Sequence, residues 1–206
     1  QPELTITQGH QSVLDDVKDA VQDYMVGAGV SEMMTYSFIK ANAYDKMLLP
    51  ADDARRSCIE LLNPITDAFS VMRTTMIPSA LQTASFNLRN HNSSVALFEV
   101  GRVFLPQELP LTADPVERQL LTAVLSGSRQ ELNWCTEKGA VDFYDMKGIV
   151  EGLLEALQVS DYTMVRSGQP YLHPGKSCDI VVEGKVIGSF GEVHPVVQEN
   201  FDLDQV

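Results

Sequence analysis

From Ser12 to Met25 the apolar residues Val13, Leu14, Val17, Val21, Tyr24 and Met25 recur at steps of three and four. That spacing lays them along one side of an α-helix, and "GAG" at 27–29 supplies its stop. An extended run, "MMTYSFIK" (33–40), follows, and "CIELLNP" (58–64) predicts a second strand closed by an Asn-Pro turn. Pro78 fits the first position of another helix, where its missing N–H is not needed, and Leu81, Ala84 and Leu88 continue the apolar face. Beyond the polar stretch "RNHNSS", the run "SVALFEVGRVFLPQ" (94–107) reads as a strand apolar on both faces, hence one in the middle of a sheet. "LLTAVLSG" (120–127) predicts a strand and "VDFYDMKGIVEGLLEAL" (141–157) a helix. "CDIVVEGKVIGSFGEV" (178–193) predicts a hairpin about Glu183-Gly184. "PQELPLTADPVER" (106–118), with three prolines, reads as an exposed excursion between strands.

Strands joined by hairpins and interrupted by helices predict an α+β fold, a mainly antiparallel sheet flanked by helices. A doubly wound parallel sheet is disfavoured, because neither regular strand-helix alternation nor a glycine-rich phosphate turn is present. At 206 residues, 44% hydrophobic and 21% charged, the chain is expected to form a single folded domain, residues 1–206. The formal net charge of −13, with the bases scattered and Arg55-Arg56 the nearest to a pair, argues against a grip on nucleic acid. Cys58, Cys135 and Cys178 form no C-x-x-C pair, so neither a zinc site nor a disulfide framework is expected, and a reducing compartment is. No apolar run approaches 18 residues, so no membrane segment is expected. A start at Gln1 and a stop at "DLDQV" suggest a fragment of a longer chain.

Within the 94–107 strand, Glu99 and Arg102 fall on opposite faces unless Gly101 carries a bulge, so they are not expected to pair with each other. Each is expected to be a buried charge with a partner on a neighbouring element. Asp142 and Asp145 stand where a helix begins, and capping outweighs metal binding because no further ligand lies at the right spacing. His173 and Lys176 flank a Pro-Gly turn that could hold an anion, but the turn itself is the simpler reading. His194 before Pro195 fits a helix cap better than a general base. From the residues alone no active site is visible.

Five ordered stretches resemble the β subunits of bacterial phenylalanyl-tRNA synthetase: "VGAGVSEMMTYSFI", "LLNPITDAFSVMRTTMIPSAL", "ALFEVGRVF", "DFYDMKGIVEGLL" and "HPGKSCDIVVEGKVIGSFGEVHPVV". Together they span nearly the whole chain. The resemblance implies the catalytic-like module of that subunit, a class II synthetase fold without catalytic residues of its own. It makes the first helix and the strand after it the counterpart of motif 1, with Val13, Val17, Val21, Tyr24 and Met25 as candidates for a subunit interface. Pro78, Glu99, Gly101 and Arg102 then belong to the scaffold. In the family's active α subunit the matching strand is followed by an arginine that holds the ATP phosphate; here that place is Leu105, and an apolar side chain cannot form a charge-assisted fork.

The resemblance thus implies no catalytic residue, cofactor or metal in this segment, with ATP and Mg²⁺ on the α subunit of an α2β2 enzyme that joins phenylalanine to its tRNA. Expected partners are the α subunit, a second β subunit and, through other domains of the complex, tRNA(Phe), all in the cytoplasm and none in a membrane. Two alternatives remain open at this point: a domain that still binds an amino acid or adenylate, and a free-standing interaction domain.

Overall fold

The computed structural model describes residues 11–64, 66, 69–129, 134 and 139–203. Helix α1 (Val13–Gly27) starts at a reciprocal cap, the Ser12 hydroxyl accepting from the Asp15 N–H while the Asp15 carboxylate accepts from the Ser12 N–H. It ends where Gly29 takes a φ of +82°, a backbone that glycine adopts without steric penalty. Two short strands follow, β1 (Ser31–Glu32) and β2 (Phe38–Ile39), then helix α2 (Ala43–Lys46), a single 3-10 turn at Ala54–Arg56 and strand β3 (Val71–Met72). Helix α3 (Ile77–Arg89), with Pro78 in its first turn, leads into the long strands β4 (Ser94–Leu105) and β5 (Val116–Gly127). Helix α4 (Phe143–Ala156), strands β6 (Tyr162–Arg166), β7 (Leu172–Val182) and β8 (Lys185–Val193) and helix α5 (Pro195–Asn200) complete the order.

The strands form two three-stranded sheets, β1-β4-β5 and β6-β7-β8, and a two-stranded ribbon, β2-β3. All pairings are antiparallel except β1 with β4. The fold is therefore α+β with mainly antiparallel sheets flanked by helices, as the patterning predicts. The β7-β8 turn places Glu183 at φ +49° and Gly184 at +75°, the positive-φ pair whose twist matches a tight hairpin.

Both faces of β4 are covered. One meets α2, α3 and α5 through Val95 and Leu97; the other meets α1 through Phe98, fully buried against Val21 and Met25. Helix α4 lies across both sheets, with Ile149 and Leu153 packed toward Phe98 and Leu154 toward Ile180 and Phe190. Its amino end is closed by Asp142, whose carboxylate accepts from the Tyr144 and Asp145 N–H groups, and by Asp145, which accepts from the Asp142 N–H.

Four local expectations differ from the structure. Residues 58–64 form no strand; they make a bridge, Glu60 to Val71, and the strand they meet there, β3, is two residues long. The run 33–40 is not one strand: the ladder of β1 ends at Glu32 with one further bond from the Met33 N–H to the Phe98 carbonyl, the Thr35 side chain turns into an ion pair described below, and within the run only Phe38–Ile39 forms a strand. The excursion after β4 ends early, since Val116–Arg118 already belongs to β5. His173 to Lys176 lie within β7 as an irregularity between the Leu172 and Ser177 pairings. Cys135 falls outside the described residues. Among the described residues no helix is long and apolar enough to cross a membrane.

Candidate functional site

The opposite faces of β4 separate its two charges, as strand alternation requires. Glu99 is buried and meets Arg73, the residue after β3, itself only 2% exposed. Arg73 Nη2 and Glu99 Oε1 are 3.0 Å apart. The Arg73 Nε donates to the Arg102 carbonyl at 2.8 Å, and its Nη1 donates to the Thr35 hydroxyl at 2.8 Å and the Tyr36 carbonyl at 3.4 Å. Thr35 in turn donates to the other oxygen of Glu99 at 2.5 Å. Arg73 also bonds through its backbone, donating to Ser37 and accepting from Phe104. The guanidinium thus ties the β2-β3 ribbon to β4, and its acceptors are all protein groups. A buried charge is tolerated only when so partnered.

Gly101 makes room for this pair. A Cβ there would lie 2.5 Å from Arg73 Nη2, 2.8 Å from Glu99 Oε1 and 2.8 Å from Met76 Cε. The glycine is required by close approach rather than by its backbone angle.

Arg102 differs from its expectation as a buried charge. Its side chain is 60% exposed and pairs with Glu117 of β5 at 2.8 Å, because even-numbered positions near the end of β4 emerge past the helix that covers Phe98. At Leu105, the last residue of β4, the ladder partner is Val116. The end of the strand therefore presents two apolar side chains to each other where a phosphate would need a cationic fork. Arg118, opposite Val103, is the nearest base in that ladder and is exposed.

The remaining candidates are engaged in structure. His194 Nδ1 accepts from the Val196 N–H and caps α5, and His173 Nδ1 accepts from the Gly175 N–H. Lys176 pairs with Glu192 at 2.7 Å, and Arg129 bridges to Asp142 and Asp145. Arg55 forks onto Asp53, donates to Gln169 and lies over the Tyr171 ring, an arrangement that sequence spacing could not show. Hydrogen bonds from Arg55 hold the Asp53 carboxyl down at about 2. Burial pushes the Tyr44 hydroxyl up to about 12 and raises the Cys58 thiol, the opposite of what an activated nucleophile needs. Among the described residues no group of three or more His, Cys, Asp or Glu could hold a metal ion.

The five interface candidates on α1 divide along its length. Val21 and Met25 are buried against Phe98, and Tyr24 is packed beside them. Val13 and Val17 are 78% and 43% exposed, and Leu14 beside them is also uncovered. The amino-terminal half of the helix projects beyond the sheet that holds its other half.

The sequence pattern of the family described as the phenylalanyl tRNA synthetase beta chain CLM domain matches residues 1–206. The chain belongs to this family. It is 41% identical over 189 residues to the phenylalanine–tRNA ligase beta subunit of Geobacter metallireducens, covering 90% of this chain and 23% of that protein. It is 35% identical over 202 residues to the beta subunit of Symbiobacterium thermophilum, covering 98% of this chain and 22% of that one. The chain thus spans less than a quarter of the length of these relatives. Among solved structures, pyrrolysyl-tRNA synthetase from Desulfitobacterium hafniense shares the fold with a TM-score of 0.67 at 16% identity, covering 92% of this chain and 62% of that one. The fold of this family member is that of a class II aminoacyl-tRNA synthetase.

Proposed function

We propose that residues 1–206 form one catalytic-like module of a phenylalanyl-tRNA synthetase β subunit, a scaffold that performs no chemistry and packs against the α subunit. The observation that carries this reading is the state of β4: Leu105 faces Val116 at its end, and the cation nearest its buried acid, Arg73, is spent on Glu99, Thr35 and two carbonyls. ATP and Mg²⁺ then act on the α subunit of an α2β2 enzyme in the cytoplasm, and tRNA is held by other parts of the complex. The acidic balance of −13 is consistent with that division, since a phosphate backbone would be repelled. The uncovered half of α1 is the surface offered to another subunit.

The test is phenylalanine-dependent ATP-pyrophosphate exchange. The full-length β chain alone is expected to show none, and the complex with α full activity. Removal of one transition-state donor typically costs about 100- to 1,000-fold in rate, so exchange by β alone within that range of the complex would overturn the reading. A second reading, a retained adenylate pocket, is favoured by Arg118, an exposed base on the Leu105 face. Exchange by β alone that is abolished by Arg118→Ala would establish it.

A further inference from the structure

Away from the sheets, α2, α3 and α5 converge on a surface cavity of about 260 Å³. Gln82, Phe86 and Arg89 recur along α3 at steps of four and three and form one wall, while Lys46, the last residue of α2, forms another. The floor is the turn that closes α5. The Asp202 N–H donates to the Glu199 carbonyl and the Leu203 N–H to the Gln198 carbonyl, with Asp202 at φ +56°. A helix that ends in such a left-handed residue holds its closing turn in one geometry, and this one fixes Phe201 and Asp202 in the cavity. Lys46 is a half-buried cation without an acid. Its Nζ lies 5.4 Å from the centroid of the Phe201 ring and donates to the Asn200 carbonyl at 2.8 Å, and no carboxylate among the described residues pairs with it. Asp45 beside it is turned to Arg56 at 2.7 Å, and Asp202 pairs with Arg89. The Asn200 side chain returns a bond to the Lys46 carbonyl at 2.9 Å, so the contact between α2 and α5 holds the lysine from both ends. The cavity thus contains one offsetting pair, Arg89 with Asp202, and one cation left over, in a chain of formal charge −13. Phe86, 69% exposed, adds an uncovered ring.

We propose that this cavity binds a small organic monocarboxylate, its acid group on Lys46 and its apolar body against Phe86. An ammonium has three N–H donors, and Lys46 uses one of them on Asn200, which leaves donors for an oxyanion. One negative charge matches the one unpaired cation; a doubly charged phosphate would also be repelled by Asp202. Because Asn200 already holds the lysine, little freedom is lost when a ligand arrives, which is how preorganisation adds affinity. The volume lies just below the roughly 300–1,000 Å³ of drug-sized pockets and suits a single ring carrying its acid group. The scaffold reading is carried by β4 and α1 and this one by α2, α3 and α5, so failure of either leaves the other intact.

Saturation-transfer NMR on the full-length β chain tests it, with benzoate as the probe and benzyl alcohol as its uncharged control. Benzoate is expected to bind saturably and at least about tenfold more tightly than benzyl alcohol, the effect of a hydrogen bond to a charged group. Lys46→Gln is expected to abolish that preference. Asp202→Asn is expected to tighten benzoate several-fold, because it removes a like charge and frees Arg89, a gain that a purely structural lysine would not produce. Equal binding of the two probes, a Lys46→Gln chain that keeps the preference, or an Asp202→Asn chain that binds no more tightly than wild type would each overturn the proposal. Access is read in the same full-length chain, where Phe86→Cys is expected to react with a maleimide at that position. Protection there would mean that polypeptide covers the cavity, and would overturn the proposal too. Should Lys46→Gln fail to fold, the two probes on the unsubstituted chain and the Asp202→Asn response decide.

Discussion

Gly101 holds the tightest position in β4, because its missing side chain is where Arg73 and Glu99 meet. Gly101→Ala must push apart an ion pair whose members are fixed by four further hydrogen bonds, and overpacking of this kind typically costs about 1–3 kcal/mol. A urea midpoint equal to wild type would show that the pair can yield. Asp53 makes a pH prediction. Its carboxyl sits at about 2 when folded, below its ordinary 3.8, because Arg55 hydrogen-bonds the charged form. A depressed acid contributes stability above its unfolded value and loses it as pH falls through its folded one. Between about pH 4 and pH 2 the wild-type chain should therefore lose more stability than Asp53→Asn, narrowing a gap that favours wild type at neutral pH. Parallel pH curves for the two would refute the assignment.

Helix α1 reaches α4 through Tyr24, whose hydroxyl lies 2.1 Å from where a Cβ on Gly152 would stand. Gly152→Ala should separate the two helices and lower the unfolding midpoint, while Tyr24→Phe in the same chain removes the clashing oxygen and should restore much of the loss. Residues in contact are where such coupling is expected, and additive midpoint shifts would count against this packing. The same helix divides its apolar stripe between a buried and an exposed part. Its stripe is continuous in sequence, but Phe98 covers only the part from Val21 onward.

For the molecule as a whole, the uncovered turn of α1 is the surface on which assembly with an α subunit depends in the proposed function. Val13→Asp with Val17→Asp alters two exposed positions, so the unfolding midpoint should stay within roughly 0.5 kcal/mol of wild type. Co-purification of the full-length β chain with α should fall at least tenfold. Full recovery of α with the doubly substituted chain would move the interface elsewhere.

The periodicity of apolar residues by itself determined the long elements: α1, α3, α4 and β4 lie within about two residues of their patterns, while β5 begins four residues and β7 six residues before theirs. Local chemistry was equally legible for the caps at Asp142 and His194, since a cap needs only its own helix, whereas the cap at Ser12 came from the structure. The family was legible too, because five blocks in fixed order are a property of the chain. Contacts across space were not. No local pattern shows that Arg73 is the partner of Glu99, that Arg102 emerges into solvent, or that only half of the α1 stripe meets the sheet. Short strands failed for the same reason, as a two-residue strand exists only where a partner reaches it and carries no periodicity of its own. Strand alternation placed Glu99 and Arg102 on opposite faces of β4, and only the packing of α1, α3 and the β2-β3 ribbon decided that one face would bury a charge and the other expose one.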